Sequence, residues 1–166
     1  MATRAVIPVE VYLTSVYRPD CDYVDGEVLE RTLGDREHSY VQMALGSYFF
    51  ARRKALGIEV YPEQRVQVKP RRYRIPDICV VVGGKEKIFT QPPFLCIEIL
   101  SPEDRMTRVW ERLRDYFEMG VPNVWVVDPE NRVAHIASPS GDLRRVTEVL
   151  RTENPALEVP LAEIFE

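Results

Sequence analysis

The chain has 166 residues, of which 45% are hydrophobic and 29% are charged. This composition is typical of a folded globular protein and excludes disordered and fibrous classes. The length predicts a single domain spanning residues 1–166. With 22 basic and 26 acidic residues, the net charge is -4. That charge excludes a protein that grips nucleic acid by bulk charge, although a local basic patch is still allowed.

The sequence also predicts where the protein is found. No stretch approaches the roughly 20 consecutive apolar residues that a membrane helix needs, so we expect no membrane association. The start, MATRAVIPVEVYL, lacks the apolar run and the cleavage site of a secretory signal. Three unevenly spaced cysteines, Cys21, Cys79 and Cys96, are typical of reduced thiols. We therefore expect a cytoplasmic protein.

Hydrophobic spacing and turn residues predict the elements of the first half of the chain. A short helix is expected over 8–16, and Asp25-Gly26 predicts the turn of a hairpin. A long helix over 38–56 should end at Gly57. Runs of β-branched residues then predict three consecutive strands, at 58–68, 74–82 and 94–100.

The second half adds a helix, a strand and a hairpin. Ser101 followed by Pro102 is typical of a helix start, and Gly120 marks the end of that helix. A strand is expected at 124–127, and a final hairpin from 132–137 and 143–150. The central order is helix, three strands as a meander, helix, strand. The second helix should carry the chain to a strand that runs parallel to its neighbour.

Two acidic residues, Asp77 and Glu98, interrupt strands that otherwise look buried. They are placed symmetrically about the segment between the second and third strands, so an antiparallel pairing would set them directly opposite each other. Carboxylates that close repel unless a proton or a cation lies between them, and Mg²⁺ or Mn²⁺ suits such oxygen ligands. The alternative is that the acids lie at strand ends and meet water or an arginine.

The same register pairs Cys79 with Cys96. A zinc site shared with the acids is conceivable. Because cysteine is often a small buried hydrophobic residue, we favour two buried thiols behind the carboxylates.

An ordered series of short motifs identifies a family. Pro76-Asp77 followed by Glu98-Ile99-Leu100 on successive strands resembles the PD-(D/E)XK nuclease superfamily. The wider series is similar to the Uma-type family of putative restriction endonucleases from bacteria, with a match from about residue 9 to 165. Its pieces are Tyr23-Val24-Asp25-Gly26-Glu27, Glu37-His38-Ser39, Ile75-Pro76-Asp77, Glu98-Ile99-Leu100-Ser101-Pro102, and Tyr116 through Gly120-Val121-Pro122 to Trp125-Val126-Val127-Asp128-Pro129.

The resemblance implies an α/β (α+β) fold with a restriction-endonuclease-like αβββαβ core. A mixed central sheet would be flanked by helices, with added N-terminal and C-terminal hairpins. It further implies that Asp77 and Glu98 bind Mg²⁺ or Mn²⁺ with the backbone carbonyl of Ile99. The implied chemistry is hydrolysis of phosphodiester bonds in DNA.

The chain departs from the superfamily pattern at its lysine. Leu100 stands two residues after the glutamate, where that lysine is expected, and Arg112 occupies the position to which relatives of this type move it. Arginine can clamp a phosphate but does not release its proton, so it cannot act as a general base. Arg112 therefore either stabilises the reacting phosphate or marks an inactivated enzyme.

Further residues are candidates for the periphery of this site. Glu63 on the first strand and Glu37 at the helix start could support the metal, or they could be ordinary surface and helix-start acids. The basic run Arg65, Lys69, Arg71, Arg72 and Arg74 precedes Asp77. Its last four members are predicted to bind nucleic acid; a strand edge protected by charge would explain them equally well.

Three functions are compatible with this sequence. The first is a metal-dependent DNA endonuclease with Asp77, Glu98 and Arg112 as its catalytic residues, acting as a homodimer. The second is a catalytically impaired nuclease fold that serves as a binding module for nucleic acid or protein. The third is a small α/β scaffold whose acids are merely solvated.

Overall fold

The computed structural model describes residues 6–165. The helices are α1 (Val9–Thr14), α2 (Arg36–Leu56) and α3 (Met106–Met119), with a short 3₁₀ helix at Leu161–Glu163. The strands are β1 (Cys21–Val24), β2 (Glu27–Glu30), β3 (Glu59–Pro62), β4 (Val66–Lys69), β5 (Arg72–Arg74), β6 (Ile78–Val81), β7 (Leu95–Ile99), β8 (Asn123–Asp128), β9 (Val133–Ala137), β10 (Leu143–Val146), β11 (Val149–Arg151) and β12 (Glu158–Pro160).

The described strands form a six-stranded sheet and two smaller ones. The large sheet has the order β10-β9-β8-β7-β6-β3, and β1, β2, β4 and β5 form a second sheet in the order β2-β1-β5-β4. Strands β11 and β12 pair separately. In the large sheet β7 and β8 are parallel, and the other pairings are antiparallel. The predicted mixed central sheet with a parallel crossover through α3 is confirmed.

The two long helices cover opposite faces of the large sheet. Leu45 and Phe49 of α2 pack in one buried cluster with Trp125 of β8. Leu113 of α3 packs in another cluster with Cys96 of β7. Because alternate residues of a strand point to opposite faces, each central strand contributes to both clusters. This two-sided burial explains the nearly continuous apolar sequence of β6, β7 and β8.

Helix α2 begins and ends with the capping groups that its sequence predicts. The Asp35 side chain accepts a hydrogen bond from the His38 N–H at 2.9 Å, which satisfies one free donor of the first turn. Gly57 adopts a left-handed conformation with φ 66° at the other end. The helix therefore starts two residues before the predicted range of 38–56 and ends where predicted.

The register between β6 and β7 is the predicted one. Ile78 pairs with Ile97, and Cys79 pairs with Cys96. Continuing this register by one residue places Asp77, which directly precedes β6, opposite Glu98. Cys79 and Cys96 are free, buried thiols.

The predicted strand over 58–68 is wrong, because it is two strands in different sheets. Strand β3 pairs with β6, whereas β4 pairs with β5. Glu63 between them has a φ of 50°, a left-handed conformation that interrupts an extended strand. The predicted strand over 74–82 is divided as well. Arg74 ends β5, and Pro76 precedes β6 without an N–H for a sheet hydrogen bond.

The predicted helix start at Ser101 is also wrong. Ser101 and Asp104 close a turn instead, in which the Ser101 N–H donates to Asp104 Oδ2 at 2.8 Å and the Asp104 N–H donates to the Ser101 carbonyl at 2.9 Å. Helix α3 begins only at Met106. At the C-terminal end the β9–β10 hairpin is confirmed, but Leu150 belongs to β11 rather than to that hairpin.

Candidate active site

Asp77 is a buried carboxylate at the junction of three elements. The residue is 4% exposed. Oδ2 accepts the N–H of Ile99 on β7 at 2.7 Å. Oδ1 accepts a hydrogen bond from Arg31 Nη2 at 2.5 Å and lies 3.4 Å from His38 Nε2 at the start of α2. Both oxygens of Asp77 are thus already engaged by donors within the protein.

Glu98 is buried more completely, with an exposure of 1%, and its partners come from α3. Arg112 Nε donates to Oε2 at 2.8 Å, and the Tyr116 hydroxyl donates to Oε1 at 2.5 Å. Residues 112 and 116 are four apart, so the helix places both side chains on one face. That face holds the Glu98 carboxylate in a single orientation.

The surroundings shift the pKa values of the two acids in opposite directions. Burial opposes ionisation of Asp77, but the hydrogen bond from His38 and the charge of Arg31 outweigh it and lower its pKa. Burial dominates at Glu98 and raises its pKa; Arg112 acts in the opposite sense, while the charge of Asp77 adds to the rise. Two close carboxylates with separated pKa values are typical of catalytic carboxylate pairs.

The two peripheral acids do not join this pair directly. Glu63 Oε1 lies 4.0 Å from Arg31 Nη1, with half of its side chain exposed. Glu37 is half-buried and pairs with Arg36 at 2.9 Å. The neighbouring His38, rather than Glu37, is the residue at this helix start that faces Asp77.

Three of the four residues predicted to bind nucleic acid form ion pairs within the chain: Lys69, Arg72 and Arg74. Arg74 is 3% exposed, so it is not available to DNA, and that prediction is wrong. Its Nε donates to Asp115 Oδ2 at 2.7 Å and its Nη1 donates to Asp22 Oδ2 at 3.0 Å. The paired acids, both distant in sequence, draw this arginine into the interior.

The neighbouring basic residues are held to differing degrees. Arg72 bridges Asp115 on α3, at 2.8 Å, and Asp25 in the β1–β2 turn, so it too serves the fold. Lys69 pairs with Glu118 on the surface of α3. A nucleic-acid contact by Lys69, Arg71 and the partly exposed Arg72 stays a prediction.

Sequence reasoning missed Arg31, which binds one of the acids. It follows β2 directly and lies 46 positions from Asp77, with no motif that distinguishes it from other arginines. Tyr116 belongs to the motif series above, but the sequence assigned it no contact with Glu98. Its spacing of four residues from Arg112 is a signal that could have placed it beside Glu98.

The acid pair fits a hard divalent ion in donor type. Within residues 6–165 no group of three or more His, Cys, Asp or Glu side chains is arranged to hold a metal ion. Mg²⁺, however, commonly uses one or two carboxylates and completes its coordination with water and substrate phosphates. Asp77 and Glu98 supply that minimum, provided that protein donors on their oxygens give way.

The fold agrees with the comparison to known proteins. A family model described as putative restriction endonuclease, Uma2, matches residues 13–165. The chain belongs to the Uma2 family. It is therefore a member of a nuclease family with a restriction-endonuclease-like fold, as the sequence motifs predict.

A solved structure supports the same fold. The chain is similar to the crystal structure of a putative nuclease belonging to DUF820 from Anabaena variabilis ATCC 29413, with a TM-score of 0.82 and 21% identity. The alignment covers 96% of this chain and 97% of the other. No curated protein matches the chain. In the part of the Uma2 protein that the structure describes, no helix is long and apolar enough to cross a membrane.

Proposed function

We propose that this Uma2 protein is a divalent-metal-dependent endonuclease that hydrolyses phosphodiester bonds in DNA. The observation that carries the proposal is the burial of Asp77 and Glu98, at 4% and 1% exposure, on adjoining strands. Buried carboxylates are costly to a fold, so their presence at one end of two central strands calls for a function. The family supports one role for these two acids, which is to bind a catalytic cation.

In this proposal Asp77, Glu98 and the backbone carbonyl of Ile99 hold Mg²⁺ or Mn²⁺. Such an ion, when bound, polarises the phosphate and lowers the pKa of the attacking water. The protein contributes orientation. The Ile99 N–H fixes Asp77, and the Tyr116 hydroxyl fixes Glu98, so both carboxylates are preorganised before substrate arrives.

Arg112 has the charge-stabilising role in this scheme. Its guanidinium lies against Glu98, with its side chain 14% exposed. An arginine there can contact a phosphate with the nitrogens that Glu98 leaves unused, and so stabilise the developing negative charge. Because arginine keeps its proton, the proton of the attacking water must leave by a route other than Arg112.

A catalytically impaired binding module is the second candidate. It is favoured by the arginines on both acids: Arg31 neutralises Asp77 and Arg112 neutralises Glu98, while the lysine of the superfamily pattern is absent. Under this alternative the carboxylates are structural ion pairs, and the protein binds nucleic acid or a protein partner without cutting it.

The proposal includes a homodimer, because two active sites can cut both DNA strands in one encounter. It also includes a location in the cytoplasm. Helix α2 supports a protein interface, since its Met43 and Phe50 are 71% and 53% exposed. Sedimentation of wild type and a Phe50→Ser variant tests this. A dimer that dissociates in the variant is expected, and a wild-type monomer at micromolar concentration contradicts it.

Cleavage of supercoiled plasmid in Mg²⁺ or Mn²⁺ tests the enzymatic proposal. Wild type should nick the plasmid, and Asp77→Asn and Glu98→Gln should not. Circular dichroism should show that both variants are folded, so that loss of nicking reports on the site. Glu158→Gln removes an exposed acid that pairs with Arg151 and serves as the matched control. Inactive wild type together with active Arg112→Lys would instead support the impaired binding module.

A further inference from the structure

Arg31 is a buried cation that the proposed metal chemistry does not use. Its side chain is 15% exposed and lies against Asp77 Oδ1 at 2.5 Å, with Glu63 Oε1 at 4.0 Å. The carboxylates of Asp77 and Glu98 both stabilise its charge against the cost of burial. This arginine therefore balances the negative charge of the pair from within the chain.

A divalent ion and Arg31 would compete for the same atom. Oδ2 of Asp77 is engaged by the Ile99 N–H, which belongs to the sheet backbone and cannot move freely. Oδ1, by contrast, is held by side chains, which can move: Arg31 donates to it at 2.5 Å, and His38 Nε2 lies 3.4 Å away. Oδ1 is therefore the oxygen that a metal ion could take over, with Arg31 as the fixed positive charge to displace. A guanidinium and a divalent cation at one carboxylate oxygen repel each other strongly in a buried site.

We propose that Arg31 is a resident competing cation: it holds Asp77 in the metal-free protein and leaves Oδ1 when a divalent ion binds. This inference rests on the proposed function of the carboxylate pair. Glu63, whose Oε1 is already 4.0 Å from Arg31 Nη1 and whose side chain is half exposed, offers the departing guanidinium a closer contact. The consequence is weak binding of the ion to the free protein and stronger binding once a DNA phosphate adds a ligand.

Titration calorimetry with MnCl₂, in the absence of DNA, tests this inference without relying on activity. Arg31→Gln should bind Mn²⁺ at least about tenfold more tightly than wild type, because the competing charge is gone. Arg151→Gln is the matched control, since Arg151 forms an exposed ion pair with Glu158. Its Mn²⁺ affinity should equal that of wild type.

A second measurement covers the case in which Arg31→Gln is poorly folded. Arg31→Lys keeps the positive charge but lacks the planar guanidinium group, so it should fold. Its affinity for Mn²⁺ should lie between those of wild type and Arg31→Gln. Millimolar methylguanidinium, far below unfolding concentrations, should weaken Mn²⁺ binding to Arg31→Gln and leave wild type unchanged. That result would identify the guanidinium itself as the competing group.

The outcomes separate this inference from the proposed function. Equal, Asp77-dependent Mn²⁺ affinities in wild type, Arg31→Lys and Arg31→Gln overturn the inference and leave the metal site intact. Tighter binding by Arg31→Gln with no DNA cleavage by any variant supports the inference and overturns the enzymatic proposal. Absence of Mn²⁺ binding in every variant overturns both.

Discussion

Arg112 Nε lies 2.8 Å from Glu98 Oε2, so the guanidinium of this α3 residue is bound to a buried carboxylate of β7. The pair is nearly inaccessible, with side-chain exposures of 14% and 2%. This arrangement allows Arg112 to orient Glu98 and to present its remaining N–H groups outward. It also makes Arg112 important for stability, whatever its part in catalysis.

Replacement of Arg112 should affect stability and cleavage to different extents. Arg112→Gln leaves Glu98 buried beside an uncharged group, and we expect a loss of about 3–5 kcal/mol in the free energy of unfolding. Arg112→Lys keeps the charge and should lose less. Urea unfolding and plasmid nicking measure the two effects. Unchanged stability in Arg112→Gln would contradict the buried ion pair.

Tyr116→Phe removes one donor to Glu98 and keeps the ring in the core. Loss of a hydrogen bond to a charged group should cost about 1.5–3 kcal/mol of unfolding free energy. Tyr40→Phe removes the hydroxyl of an exposed tyrosine on α2 and should change stability little. Equal stability of the two variants would show that the Tyr116 hydroxyl does not support Glu98.

Asp115→Asn should be among the most destabilising single changes in the protein. Its carboxylate accepts hydrogen bonds from Arg72 at 2.8 Å and Arg74 at 2.7 Å. These bonds connect α3 to β5 of the four-stranded sheet. We expect a loss of about 3–5 kcal/mol in urea unfolding because two arginines lose their common acid. Glu158→Gln, in an exposed ion pair, should cost no more than about 1 kcal/mol. A small effect of Asp115→Asn would contradict this structural role.

His135 should make folding sensitive to mild acid. Its burial, together with the charge of Arg145 on β10, lowers its pKa below the usual 6.5, while Asp128 opposes the shift. The unfolded chain therefore binds this proton more readily, so the contribution of His135 to stability is present above pH 6.5 and falls as the pH drops through that value.

Proton NMR and urea unfolding both measure this effect. The His135 ring should titrate below pH 6.5, and His135→Gln should have a smaller loss of stability than wild type between pH 7.5 and pH 5. A ring that titrates at or above 6.5 would disprove the shift.

The three cysteines should be unreactive in the folded protein. All are buried, and burial raises the pKa of Cys79 to about 12, so the thiolate is scarce at neutral pH. A thiol reagent such as 5,5′-dithiobis(2-nitrobenzoic acid) should label none of them in the native state and all three after unfolding. Fewer than three reactive thiols in denaturant without reductant would reveal a disulfide.

Local sequence patterns accounted for the central part of the fold. Alternation of apolar residues and the position of the intervening segment were enough to pair Cys79 with Cys96 and to bring Asp77 and Glu98 to neighbouring strands. The prediction failed where one residue changed the chain's direction. Glu63, with φ 50°, ends β3 and sends the following strand into another sheet, and no strong turn signal marks it.

Charge partners could not be predicted in the same way. The run from Arg65 to Arg74 looked like a surface for DNA, yet Arg74 is buried between Asp22 and Asp115, which lie 52 and 41 positions away. Ion pairing depends on which elements pack together, and spacing along the chain carries no information about that at such distances. For the same reason, the ion pair between Arg31 and Asp77 could not be predicted from the sequence.

The family, the order of the central elements and the pairing of the two acids follow from local periodicity and short motifs, which can be read along the chain. The groups that neutralise those acids depend on how the chain packs. Arg31 after β2, His38 in α2 and Arg112 in α3 converge on Asp77 and Glu98 only after the sheet and helices have packed. The charge of a buried carboxylate must be balanced by whatever cation the fold brings nearest, and that is a property of the packed chain.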